Sequence, residues 1–292
     1  MQRVLLFATL LILAAPLHAD DDYARSIDEW RAARIESLKK PDGWFSYVGS
    51  GIVPAGESTI GSAKGNAIVL ATGPARLGTL RLADGIVHFR ADPAAAATID
   101  DRPVPGEVVL TTNADGARPT EVHFGKAWFY VVATGDLVGW RLRDPQSQAL
   151  AAFKGIDRYP TDPSWRIEAD WQPYDPPHSI DLVTVINTLQ PSDVPGRALF
   201  TRDGRQYTLE PVAEDDGRLF FIIADRTSGK ETYGAARFLY ADPPANGKVV
   251  LDFNKAYNPP CALSPHVVCP TAPPGNRLDL RVTAGEKKYV HR

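Results

Sequence analysis

AWFYVVATGDLVGWRL, residues 127–142, decides the fold. Residues 127–132 are an apolar, aromatic and β-branched run, Thr134-Gly135-Asp136 supplies a turn, and 138–142 is a second apolar run. Aromatic and β-branched residues on either side of a Gly-Asp pair specify a β-hairpin. Arg141 and Arg143 lie two apart on its second arm and so share one face. They read either as a solvated face or, with Asp144, as a salt-bridge set between domains.

Outward from this hairpin the same pattern recurs. Short apolar or alternating runs stand at 52–53, 67–70, 77–82, 86–89, 107–110 and 121–123, separated by turns at Ala83-Asp84-Gly85, Pro105-Gly106 and Ala114-Asp115-Gly116. Beyond residue 162 the runs resume at 165–171, 179–186, 197–201, 206–212, 219–224, 236–239 and 249–253, with hairpin turns at 202–205 and 214–217. Closely spaced strands without helical periodicity between them predict an all-β chain, built as two packed antiparallel β-sandwich or barrel domains. The rhythm breaks at 144–162, where prolines and aspartates mark a linker and 147–153 fits one helical turn. The predicted domains are therefore 44–155 and 156–292. One helix is expected, over 20–40 within an N-terminal segment 20–43. Tyr23, Ile27, Trp30 and Leu38 fall near one of its faces, Asp22 or Ser26 caps it, and Pro41-Asp42-Gly43 ends it.

The chain has 292 residues, 44% hydrophobic and 23% charged, with a formal net charge of -3. That is ordinary globular composition with no basic face, which argues against a nucleic-acid partner. Arg3, the uncharged apolar run 4–16 and Leu17-His18-Ala19 form the pattern of a cleaved signal peptide over 1–19. The expected product is periplasmic or secreted, with no membrane span after cleavage. Nothing in the sequence fixes an oligomeric state.

The second informative stretch is LDFNKAYNPPCALSPHVVCPTAPPGNRLDLRVTAGE, residues 251–286. Its prolines exclude a helix. It reads as a strand end, a long constrained loop and a last strand, and loops of this length in compact domains usually carry function. In an exported chain, Cys261 and Cys269 are expected to form a disulfide, contributing ~2–3 kcal/mol by loop entropy. Two other readings stay open. Cys261, His266 and Cys269 have the spacing of soft-metal ligands, and a Cys–His pair can act as a nucleophile. No fourth ligand is evident, so neither a metal nor a cofactor is expected. Asp252, Asn254, Tyr257 and Asn258 read either as loop-stabilising turn residues or as a polar cluster facing a pocket. In the pocket reading Asn276 and Glu286, with Lys287, close the far side, His266 joins from the loop, and Arg237 grips an anion.

The C-terminal DFNKAYNPPCALSPHVVCPTAPPGNRLDLRVTAGEK resembles the signature of the bacterial family called domain of unknown function 1684. So do Glu231-Thr232-Tyr233-Gly234, Arg141-Leu142-Arg143-Asp144 and Gly56-Glu57-Ser58-Thr59-Ile60-Gly61-Ser62. The resemblance implies kinship over the whole mature chain and brings no reaction with it. Gly234-Ala235-Ala236 departs from the glycine-richer run expected there. GESTIGSAKGNAIVL, residues 56–70, is similar to the opening of forkhead-associated domains, β-sandwiches that read phosphothreonine. Ser62 stands where those domains carry an arginine, and 73–81 has no Ser-x-x-His. The resemblance therefore implies the sandwich and not phosphopeptide binding.

No G-x-S-x-G, H-E-x-x-H, phosphate loop or dinucleotide fingerprint is present, and His88 and His123 stand alone on separate strands. The sequence thus favours an exported protein that binds a small polar or anionic molecule at the C-terminal loop. Two alternatives stand beside it. One is a hydrolase of unknown substrate using Asp252, Tyr257, His266 and Glu286; the other is a structural envelope protein.

Overall fold

The computed structural model describes residues 17–291, so the expected signal peptide falls largely outside the described residues. Among those residues no helix is long and apolar enough to cross a membrane. The fold is all-β, with two packed domains and one N-terminal helix, as the strand rhythm predicts.

The N-terminal helix spans Leu17–Lys39, so it begins before either predicted cap. Ser26 lies inside it and donates to the Tyr23 carbonyl. The predicted face is used: Ile27 and Leu38 are buried, and Trp30 packs near Tyr257. The chain turns at residues 40–43, where the Gly43 N–H donates to the Lys40 carbonyl.

Two sheets build the first domain. One is six-stranded and contains Tyr47–Ile52, Leu137–Arg143 and Ala127–Thr134 side by side. The other is five-stranded and includes Gly56–Gly61, Gly78–Ala83 and Ile86–Ala91. Phe129, Val131, Trp140 and Leu142 from the first sheet meet Ile60, Leu80, Val87 and Phe89 from the second in one core. Strand alternation then turns Tyr130, Val132, Gly139, Arg141 and Arg143 to the opposite face. The predicted helical turn is present as Gln148–Ala152, with the Ser147 side chain capping Leu150.

In the second domain, strands Arg166–Val183 and Leu189–Arg202 form a long antiparallel hairpin, flanked by Lys248–Asp252 and Arg205–Leu209. The sequence divided the first of these into two short runs. The structure keeps one strand and absorbs the prolines at a register shift between Pro173 and His178. A three-stranded sheet of residues 212–241 covers the core. Its alternation is decisive: Phe221, Ile223, Leu239 and Ala241 face the main core, whereas Ile222, Ala224 and Phe238 face the C-terminal loop.

The expected last strand does not form. Leu278, Leu280, Val282 and Ala284 do alternate into the core. The edge they approach is interrupted at Asp225, whose carboxylate accepts the Val282 N–H in place of a backbone carbonyl. Isolated bonds such as Leu278 N–H to the Ala224 carbonyl hold the tail instead of a ladder.

Candidate functional site

The C-terminal polar residues do not converge on one pocket. They occupy five separate stations, and protein groups fill most of them. Arg237 sits on the core side of its strand, 1% exposed, and pairs with Asp225 at 2.7 Å while donating to the Ala284 and Val282 carbonyls. Its neighbour Phe238 faces the other way and exchanges backbone bonds with Tyr257. Arg237 and Tyr257 therefore lie on opposite sides of the strand, and Arg237 is not free to grip an anion.

The next two stations hold the N-terminal helix. Asp252 accepts from Tyr23 Oη at 2.8 Å and from the Asn254 N–H. Asn254 donates to Tyr23 Oη and the Asp162 carbonyl, and its Oδ1 accepts the Asp162 N–H. Burial and the adjacent Asp252 carboxylate push the Tyr23 phenol up, so it stays a donor. Further along the helix, Arg34 Nε meets Glu286 at 2.5 Å and its guanidinium stacks 4.2 Å over the Tyr257 ring. Glu286 also accepts the backbone and side-chain N–H groups of Asn258. At the fourth station Asn276 clamps the backbone of Glu210, accepting its N–H at 2.9 Å and donating to its carbonyl at 2.7 Å.

His266 forms the fifth station and opens a different site. Its Nδ1 lies 3.1 Å from Ser50 Oγ, across the boundary between the two domains. There a cleft of about 640 Å³ runs between the outer face of the first domain's sheet and the C-terminal loop. Val185 and Ile186, at the tip of the long hairpin, extend the second wall. Ser50 reaches the cleft because Gly49 and Gly51 lie against Trp140. A Cβ at either glycine would come within 3.0 Å of the indole, so the ring packs there and the serine between them points out.

Arg141 is the cleft's distinctive group. It is the cross-strand partner of Ser50 and lines the same wall. Arg143, two residues on, is fully engaged: it stacks on Tyr47 at 3.9 Å and bonds the Tyr47 hydroxyl and Ser46. Arg141 bonds only its neighbour's carbonyl, that of Trp140, and makes no ion pair among the described residues. Burial lowers its pKa, with no carboxylate to offset the desolvation. Among the described residues the cleft lining contains no Asp, Glu or Lys. Burial, then the Arg141 charge, also lowers the His266 pKa and favours its neutral form.

Cys261 borders this cleft and Cys269 is buried behind it. Both are free thiols, in place of the expected disulfide. The Cys261 N–H donates to Cys269 Sγ at 3.2 Å, so the sulfurs are held by a hydrogen-bonded turn. A hydrogen bond from the Cys269 thiol, aided by Tyr233, holds the Cys261 thiol below its usual range despite burial. The same bond, with burial, pushes the Cys269 thiol up. Among the described residues no three His, Cys, Asp or Glu side chains gather as a metal-binding set.

Sequence reasoning found His266, Cys261 and the shared face of Arg141 and Arg143, and missed Ser50 and Tyr233 as cleft residues. The Gly49-Ser50-Gly51 pattern was the available signal for Ser50.

Residues 151–287 match the model of the family described as "Protein of unknown function (DUF1684)". The match leaves out the first β domain, and the likeness to forkhead-associated domains finds no support among the comparisons. The chain is similar to an uncharacterized protein of Haloarcula marismortui solved by solution NMR, at 32% identity over 47% of this chain and 78% of that one, with a TM-score of 0.40. The search of curated proteins gave no match.

Proposed function

We infer that this chain, which over residues 151–287 belongs to the DUF1684 family, binds a small anionic molecule in the cleft beside its C-terminal loop. One observation carries the reading: Arg141 lines a cleft free of carboxylates and has no ion-pair partner among the described residues. A desolvated guanidinium without a counter-ion favours a bound anion, and a charge-assisted hydrogen bond to one is worth about 1.5–3 kcal/mol. Ser50, Tyr233 and neutral His266 are further hydrogen-bonding groups in the same cleft. Arg141 takes the role first given to Arg237. The test is a thermal-shift and calorimetric survey of acetate, benzoate, sulfate and phosphate on wild type and Arg141→Gln. At least one anion should stabilise the wild type and bind the variant about tenfold or more weakly. No stabilisation by any of them refutes the reading. We also read the protein as exported, to the periplasm or beyond, after removal of residues 1–19. The intact mass of the exported protein checks this.

A second reading, hydrolysis, is favoured by the Ser50–His266 contact at 3.1 Å. A neutral imidazole there can take the Ser50 proton as Oγ adds to an ester carbonyl, with Arg141 holding the anionic part of the substrate. Among the described residues no carboxylate orients His266, which is why binding is preferred. Covalent labelling of wild type but not Ser50→Ala by a fluorophosphonate would establish the hydrolase; an unlabelled protein would exclude a serine nucleophile.

A further inference from the structure

We propose that the anion is the carboxylate of a single-tailed amphiphile, an aliphatic monocarboxylate whose chain lies along the cleft away from Arg141. This rests on the anion-binding reading above and adds the ligand's shape and polarity.

The first observation is where the molecule exposes its apolar surface. Ten large hydrophobic residues are exposed among the described ones, and four of them, Ile52, Leu137, Val185 and Ile186, line this cleft. Ile52 is 61% exposed and Ile186 52%. Scattered exposed aliphatics need no explanation, but several facing one groove mark a binding surface.

The second observation is a gradient of polarity along the sheet. Ser50 pairs with Arg141, so the polar pair shares one rung. Two residues on along the same face, Gly139 stands between Ile52 and Val132. Two further on, Leu137 pairs with Thr134. At a rise of about 3.3 Å per residue, the rungs of Arg141 and Leu137 stand roughly 13 Å apart, and the guanidinium lies beside Gly139 between them. Gly139 leaves the floor of the groove low. A Cβ there would stand 3.4 Å from both Val132 and Arg141, so any larger residue narrows the path.

The third observation is charge. Among the described residues Arg141 is the cleft's one permanently charged residue, and His266 is held towards its neutral form. A monocarboxylate matches that single guanidinium. A dicarboxylate or a phosphate dianion would place a second charge against aliphatic walls, which is costly.

The experiment is calorimetric titration with the sodium salts of butanoate, hexanoate, octanoate and decanoate, below their micelle concentrations, with decanol and anionic phosphatidylglycerol vesicles as controls. Affinity should rise about two- to fourfold per methylene, the range set by partial to full burial at about 0.8 kcal/mol each. Arg141→Gln should weaken every member of the series about equally. Ile52→Ser, an uncharged change at an exposed position, should flatten the chain-length dependence, weakening decanoate more than butanoate. Three results overturn the proposal while leaving anion binding intact: an Arg141-dependent affinity that is flat with chain length, decanol binding as tightly as decanoate, or binding to vesicles in preference to free carboxylate. If no anion binds through Arg141, both this proposal and the reading it rests on fail.

Discussion

Arg237→Met is the substitution that most sharply separates a binding residue from a structural one. Arg237 and Asp225 are 1% and 0% exposed at the side chain and pair at 2.7 Å. Truncating the guanidinium leaves a buried carboxylate with only backbone N–H partners, from Thr227 and Val282. Breaking such a pair costs about 3–5 kcal/mol. The Ala284 and Val282 carbonyls lose their donor as well, each worth about 1 kcal/mol. A loss of roughly 5–7 kcal/mol lowers the melting temperature by about 10–30 °C in a domain of this size. Thermal unfolding followed by circular dichroism, with urea midpoints at constant m, reads the effect. Adding Asp225→Asn removes the stranded charge, so the double variant should recover part of the loss. A single variant that melts within about 2 °C of wild type, or a double variant showing the full sum of two single losses, would refute this account of Arg237.

Three further outcomes are expected. Asn276→Ala removes two bonds to the Glu210 backbone and should cost about 1–3 kcal/mol, measured as a lower urea midpoint. His266 is held below its ordinary pKa by burial and then by Arg141, so the unfolded chain binds its proton first. Its contribution to stability is therefore complete above the unfolded pKa and shrinks as pH falls through about 6.5 toward the lower folded value; His266→Asn should flatten that part of the melting-temperature profile between pH 7 and 5. Cys261 is partly exposed with a lowered pKa and Cys269 is buried with a raised one; under reducing conditions iodoacetamide should modify Cys261 first, and peptide mass mapping that finds Cys269 leading would contradict it.

What the sequence disclosed, and what it withheld, follows from range. The 127–142 hairpin was legible because a Gly-centred turn and two β-branched arms are local facts, and the structure pairs Val132 with Gly139 around that turn. The shared face of Arg141 and Arg143 was legible for the same reason. Which arginine stays unpaired was not, because that depends on the Tyr47 ring lying beneath Arg143. The polar C-terminal motif read as one cluster facing a pocket and is instead spread over separate stations, because a run of Asp, Asn and Glu has the same composition whether it faces a ligand or another part of the chain. Its partners, Tyr23 and Arg34, lie more than two hundred residues away. The last strand failed because side-chain alternation reports burial and not ladder partners. Leu278, Leu280 and Val282 obey it while Asp225 ends the edge they would have joined.

Helix Leu17–Lys39 is synthesised more than two hundred residues before its anchors, Asp252, Asn254 and Glu286. On a chain emerging in one direction, Tyr23 and Arg34 wait for those anchors while the more than two hundred residues between are made. The loop they close is long, so its closure entropy falls due in one late step. The second domain's polar tail therefore cannot be locked until the opening helix returns to it. Any process that feeds the polypeptide through a pore, in either direction, meets an unlatched body until that moment and a latched one after it.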